Sequence, residues 1–380
     1  MKSVVELLQA LVQIPSVNPE GDPGVSPGGE KKMAEFLANF LEPLGFIITL
    51  DEVQPDRPNL IARAPGPDDR PRILLGPHLD TVSIAGMTID PFLAEIRDGM
   101  VHGRGTSDTK GPMAAMLWGL LQNQDRLAEL PVAVDFVGFM GEESSQPGSR
   151  HFALNHAANY DFAIVGEPTS LEAVYCTKGC LWAVVEAKGR SVHASQPHFG
   201  DNAILKLMDV LHDLYGPFLE KISSSYHPVL GTSTLNLGKI EGGTRANIVP
   251  AHATATLDIR TVPELVKDRP ASDLLSEHLG DLELTHCAES PPMAMPPDHP
   301  WLERLKKIHP DLALTGAPWF SDAAHLSAAG LPSICLGPGS INQAHTADEF
   351  ISIDDLENGA KWFTQLIAGL ADYGSCDLTS

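Results

Sequence analysis

Basic residues are scarce in this chain: 26 Lys and Arg stand against 49 Asp and Glu in 380 residues, a formal net charge of −23. That balance argues against nucleic acid as a partner, since nothing is left over to neutralise a run of phosphates. It disfavours an anionic membrane surface for the same reason. Cysteines are few as well. The five present (Cys176, Cys180, Cys287, Cys335, Cys376) are odd in number and form no CxxC pair. No disulfide framework is expected, in keeping with a reducing cytoplasm. No apolar stretch approaches the roughly 20 residues that a membrane span needs. The opening segment MKSVVELLQALVQIPS is interrupted by Glu6, Gln9 and Gln13 at helical spacing, which describes an amphipathic helix and not a signal peptide. A soluble cytoplasmic protein is expected. Its hydrophobic content of 43% and charged content of 20% are ordinary for a globular chain, and its length exceeds what one core usually supports, so two domains are expected.

Short apolar runs bounded by Gly or Pro alternate with helical patterns in the first part of the chain. Helices are expected at 4–12, 30–44 and 113–121, and strands at 46–51, 60–64, 72–76, 132–140 and 162–165. That alternation indicates a mostly parallel sheet. From about Thr177 the pattern becomes strand 181–187, helix 202–219, strands 233–240 and 252–260, helix 271–279 and strand 282–286. The order βαββαβ is the ferredoxin-like arrangement. Helix and strand of the first style return between 301 and 370, after a Pro-rich stretch at 291–300 that suits a hinge, and a loose tail is expected after Tyr373. The fold class expected is α/β. A mostly parallel-sheet domain is formed by 1–176 and 291–380, with a small ferredoxin-like domain, 177–290, inserted.

Side chains that bind metals stand at the ends of the apolar runs. His78 and Asp80 follow 73–75, Glu142-Glu143 follow 132–140, Glu167 follows 162–165, and His345 comes soon after 334–336. In open α/β sheets the ligand site lies beyond the carboxyl ends of the strands, so distant segments would deliver His, Asp and Glu to one rim. In His78-Leu79-Asp80, alternation puts both polar side chains on one side, and a metal-bound imidazole usually donates its other N–H to a carboxylate. Taken alone, the motif is a weak signal, and a surface or core histidine is its commoner meaning. In GRGTSDTKGP the glycines allow a tight turn that aims Asp108 outward, either as a helix cap or as a carboxylate shared by two cations.

The adjacent acids Glu142 and Glu143 repel each other and lose solvation at the end of a buried strand. A bound cation offsets that cost, and one Glu can ligate while its neighbour serves as general base. The alternative is an exposed acidic turn. Glu167 precedes Pro168, which ends ladder pairing, and His345 lies in GPGSINQAHTADEF, after a loop stiffened by Gly337, Pro338 and Gly339. Two imidazoles and three carboxylates suit zinc.

In their order, GPHLDTV, GRGTSDTKG, GEES, VGEPT and AHTADEF resemble the motifs of the M20 family of dinuclear zinc amidohydrolases, in particular its acetylornithine deacetylase and succinyl-diaminopimelate desuccinylase branch. The likeness runs from the first helix to about Leu370. It implies two divalent ions, zinc foremost, with cobalt or manganese as alternatives. His78 and Glu167 would hold one, Glu143 and His345 the other, and Asp108 would bridge them. Glu142 would be the general acid/base and Asp80 the partner of His78.

The resemblance further implies that 177–290 is a lid and the contact of a homodimer. His193 of GRSVHASQPHFGDNAI would help stabilise the oxyanion, Asn247 and Arg260 would touch substrate, and Gly337 and Gly339 would line the pocket. The implied reaction is hydrolysis of a small N-acyl amino acid, as in arginine biosynthesis. A dipeptidase or aminopeptidase acting on short peptides is the alternative, and a non-catalytic binding protein a third. Two departures bear on specificity. Pro77 stands where the family has Gly, and Thr109-Lys110-Gly111-Pro112 replaces Met-Lys-Gly-Gly.

Overall fold

Strands that are apolar on both faces must be covered on both sides, and that requirement organises the first part of the chain. In the computed structural model, which describes residues 1–20 and 28–373, the strands Arg72–Pro77, Ala133–Gly138, Phe162–Gly166 and Ser333–Cys335 are buried without a break. The expected tail after Tyr373 lies outside the described residues. Hydrogen-bonded strands run in the order Ile47–Gln54, Arg57–Arg63, Ala133–Gly138, Arg72–Pro77, Phe162–Gly166, Ser333–Cys335 and Ala173–Thr177. The middle four are parallel, and the flanking pairings are antiparallel. The expected mostly parallel sheet is therefore present.

Helices present one apolar stripe to this sheet at the 3.6-residue period. Val4–Val12 buries Val4, Leu7, Leu8, Leu11 and Val12, and its first turn is capped by the Ser3 hydroxyl, which accepts from the Glu6 N–H at 3.2 Å. The helix expected at 30–44 is α-helical over Gly29–Leu41 and tightens to a 3-10 turn at Glu42–Leu44. Pro43 cannot supply the amide that would continue the α ladder, and Gly45 then takes the left-handed conformation at φ +90°. The Lys110–Gln122 helix is buried on nearly all sides.

The chain divides into two compact units: Met1–Tyr175, Met295–Thr315 and Ser321–Ser380 form one, and Cys176–Ala294 with Gly316–Phe320 form the other. The second has its own four-stranded antiparallel sheet in the order Thr234–Gly242, His252–Thr261, Gly179–Lys188, Glu283–Ser290. Alternate residues of His252–Thr261 are buried, and they build a separate core with Leu181, Val185, Leu207, Phe218 and Leu275. The helix placed at 202–219 is regular only over Ala203–Asp213. Leu214–Phe218 is a π-helical turn that kinks at Gly216 (φ −115°, ψ −106°), and Leu219–Ser223 resumes the α form. Pro217 is the cause, because its ring cannot sit inside an α ladder.

A small sheet with no counterpart in the sequence analysis pairs Phe350–Ser352 with Met100–His102, and the latter with Glu95–Arg97. It lays the segment after His345 against the loop that carries Asp108. Among the described residues no helix is long and apolar enough to cross a membrane.

Candidate metal centre

His78 directly continues the Arg72–Pro77 strand and bridges Phe139 in parallel. The neighbouring strand Ala133–Gly138 leads through Phe139 and Met140 to Gly141, whose φ of +76° makes the turn that presents Glu142 and Glu143. Two side chains hold this turn by its backbone. Glu30 Oε1 accepts from Gly141 N at 2.8 Å. Asp80 Oδ1 accepts from Glu142 N and Oδ2 from Glu143 N, each at 3.0 Å. Asn18 Nδ2 donates to Asp80 Oδ2 at 2.7 Å, which fixes that carboxylate in turn.

Asp80 therefore does more than orient His78. Its Oδ1 lies 3.4 Å from His78 Nδ1, while its own main-chain carbonyl lies at 3.0 Å. A carbonyl only accepts, so Nδ1 carries the proton and Nε2 is left as the ligating atom. That Nε2 faces Asp108 Oδ1 at 3.0 Å.

Asp108 is delivered by a loop wrapped around one buried carboxylate. Glu349 Oε2 accepts from Arg104 Nη1 (2.7 Å) and Gly105 N (3.1 Å), and Oε1 accepts from Ser107 N (2.9 Å) and Asp108 N (3.0 Å). Glu349 went unnoticed in the sequence, although an acid directly before the Phe350–Ser352 strand was visible in AHTADEF. Asp108 Oδ2 lies 3.5 Å from His345 Nε2, and that nitrogen is 3.1 Å from Glu143 Oε2. His345, at φ +62°, is the exposed member of the group. Glu167 follows the Phe162–Gly166 strand and is buried.

The electrostatics of this cluster call for positive charge. Burial pushes the Glu143 carboxyl up to about 7, with the Asp108 charge adding to the rise. Burial, again with Asp108, lifts Glu167 well above the usual carboxylate range. Burial likewise raises Glu142. Glu143 Oε1 and Glu167 Oε1 are buried with no hydrogen-bond partner. Orphaned carboxylate oxygens beside two imidazoles are a donor set that fits divalent cations.

Glu142 stands apart from this ligand set. Its Oε1 accepts from Gln146 Nε2 at 2.9 Å, and Gln146 Oε1 lies 3.0 Å from His325 Nε2. Gln146 is fully buried with its backbone at φ +55°. Neither Gln146 nor His325 carried a signal in the sequence.

Gly337 packs against the turn after Glu167: a Cβ there would lie 2.7 Å from the Glu167 carbonyl and 2.8 Å from Pro112. The Gly339 carbonyl accepts from Ser170 N at 2.8 Å. His193, Asn247 and Arg260 belong to the second unit. His193 Nδ1 is 2.7 Å from Ser195 Oγ, and the Asn247 carbonyl accepts from Ala194 N at 3.0 Å. Arg260, on the His252–Thr261 strand, donates to Asp258 from Nε (2.8 Å) and Nη2 (3.0 Å) and lies over the Phe320 ring.

Comparison with known proteins bears on the family of the whole chain. The model of peptidase family M20/M25/M40 matches residues 74–369. The acetylornithine deacetylase of Proteus mirabilis (strain HI4320) is 32% identical over 381 residues, covering 97% of this chain and 96% of that protein. Among solved structures, the M20 family metallo-carboxypeptidase Sso-CP2 from Sulfolobus solfataricus superposes with a TM-score of 0.78 at 20% identity, over 98% of this chain and 100% of that one. The YXEP protein of Bacillus subtilis, described as a dinuclear metal binding peptidase from the M20 family, gives 0.65 at 15% identity, over 97% and 96%.

Proposed function

Because this chain belongs to peptidase family M20/M25/M40, a family of metallo-hydrolases, we propose that it hydrolyses the amide bond of a small N-acyl amino acid. The convergence of His78, Asp108, Glu143 and His345 beside a separately held Glu142 carries the chemistry. The near full-length relative at 32% identity carries the preference for a deacylase.

His78 and Glu167 would hold one divalent ion and Glu143 and His345 the other. Asp108 is suited to serve both, since its two oxygens face different imidazoles. Zinc is the ion proposed, with cobalt or manganese as alternatives, and it would supply Lewis acidity toward a water and the scissile carbonyl. Glu142 accepts the proton of the attacking water and delivers it to the departing amine. Its Oε1 accepts from Gln146, so Oε2 is the oxygen proposed for that transfer. Burial, which raises its proton affinity, suits a group that must hold a proton between the two steps. His193 would stabilise the oxyanion, a contribution of about 2.7–4 kcal/mol for such donors, and Asn247, Arg260, Gly337 and Gly339 would bind substrate. We further propose that residues 177–290 act as a lid and as the contact of a homodimer, and that the enzyme works in the cytoplasm, in arginine biosynthesis.

A peptidase is the second reading, favoured by the solved neighbours, whose names describe peptidases. The zinc-loaded protein should be assayed side by side on N-acetylornithine, N-acetylcitrulline, N-succinyl-diaminopimelate and a set of dipeptides. Cleavage of an N-acyl amino acid is expected, and turnover confined to the dipeptides would overturn the deacylase assignment.

A further inference from the structure

A second convergence of metal-capable side chains, sharing no residue with the first, consists of Asp51, His151 and His156. Asp51 lies on the Ile47–Gln54 strand, His151 within the Pro147–Asn155 helix, and His156 at the C-cap of that helix. Each imidazole brings its Nε2 to 3.1 Å from one and the same oxygen, Asp51 Oδ2. The three ligand atoms all lie within 4.8 Å of one another.

Either contact alone is an ordinary hydrogen bond. Their convergence on a single oxygen is what needs a cause. Zinc bonds of about 2.0–2.2 Å, at angles from square to tetrahedral, set neighbouring donor atoms roughly 2.8–3.6 Å apart. The spacing at Asp51 falls in that range. It also matches the described centre, where His78 Nε2 to Asp108 Oδ1 is 3.0 Å and His345 Nε2 to Glu143 Oε2 is 3.1 Å. The donors are already placed, because Asp51 is fixed by strand pairing to Asn59 and the His156 ring packs on Phe152 at 5.2 Å between centroids. Side-chain exposures of 33% for each histidine and 23% for Asp51 leave room for water to complete a coordination shell. Two imidazole nitrogens exclude magnesium or calcium as the natural occupant and select a borderline ion of the zinc class. The net charge of −23 favours the approach of any cation.

We propose that Asp51, His151 and His156 form an accessory site for one zinc-class divalent ion, which ties the edge strand to the helix that follows the Glu142 turn. It does not depend on which substrate the enzyme cleaves. The test counts zinc per chain in the full-length protein, by competition with a chromophoric chelator. Wild type should bind one more equivalent, with weaker affinity, than the double variant His151→Asn/His156→Asn, while the variant keeps the tighter equivalents and wild-type turnover. Asp51→Asn, which retains both imidazoles, should weaken the extra equivalent at least tenfold and serves as the check if the double variant misfolds. An extra equivalent that persists unchanged in both variants, or that wild type never binds, would overturn the proposal.

Discussion

Glu142 is set apart from its neighbour by one buried amide. Gln146 grips Oε1, so a protein side chain orients the carboxylate. Replacing Glu142 by Ala should leave the metal content intact and lower kcat by about 10²- to 10⁴-fold, the usual contribution of a positioned acid or base. Metal analysis alongside steady-state kinetics decides this, and near-normal turnover would remove Glu142 from the mechanism. Gln146→Ala should lower kcat roughly tenfold while leaving KM and metal content unchanged, because it frees the base without touching a ligand. An equal loss in both constants would point to a collapsed turn.

His325, on the far side of Gln146, carries a pH signature. Burial, with Arg150 nearby, holds its imidazole down at about 3, so it is neutral when folded and takes up a proton only on unfolding. Its contribution is complete above the unfolded value of about 6.5 and is lost as pH falls below it, reaching about 2 kcal/mol by pH 5. His325→Gln, compared with wild type in Tm measured from pH 8 down to 5 with metal present, should show a flatter acid limb. Parallel limbs would contradict a buried neutral imidazole. His78, Glu142, Glu143 and Glu167 were legible because each follows an apolar run, and Asp108 because glycines flank it in a tight loop. Gln146 and His325 were not, since an amide in a polar turn and a histidine in a short helix look alike whether or not they meet.

At the level of elements, the Asp108 loop has no regular structure and borrows its shape from Glu349, which satisfies three of its backbone amides together with Arg104. Glu349→Gln should weaken zinc binding about 10- to 100-fold, as loss of a group supporting a ligand typically does. It should also cost on the order of 3–5 kcal/mol, because Arg104 would remain buried without its partner. Chelator competition and denaturant titration measure the two effects, and unaltered zinc affinity would show that the loop holds Asp108 by itself. The regular elements were legible as short continuous apolar runs or as periods of two or 3.6 residues. Where they end depended on single residues such as Pro43 and Pro217, whose effect is local. The sheet that seats Glu349 is built from strands of three residues, too short for any alternation to register.

For the whole molecule, the alternation of runs announced an α/β chain with a ferredoxin-like insertion, and only the folded chain shows how unevenly its buried charge is distributed. Burial lifts Glu142, Glu143, Glu167 and Asp322 above the ordinary carboxylate range, and all four belong to the larger unit. The core of the other unit is apolar. Ions that neutralise the first group stabilise the fold by mass action, by about 2.7 kcal/mol for each site held at a hundredfold excess over Kd. Chelation should therefore speed amide hydrogen exchange at Gly105, Ser107, Asp108, Gly141, Glu142 and Glu143, whose amide partners Glu349, Glu30 and Asp80 border the ligands. The strands Gly179–Lys188 and His252–Thr261 hydrogen-bond to each other along their full length and should keep their protection. Exchange that quickens equally in both places would mean that the ions stabilise the chain as one cooperative body, and exchange unchanged in either would mean that the carboxylates tolerate their burial without them.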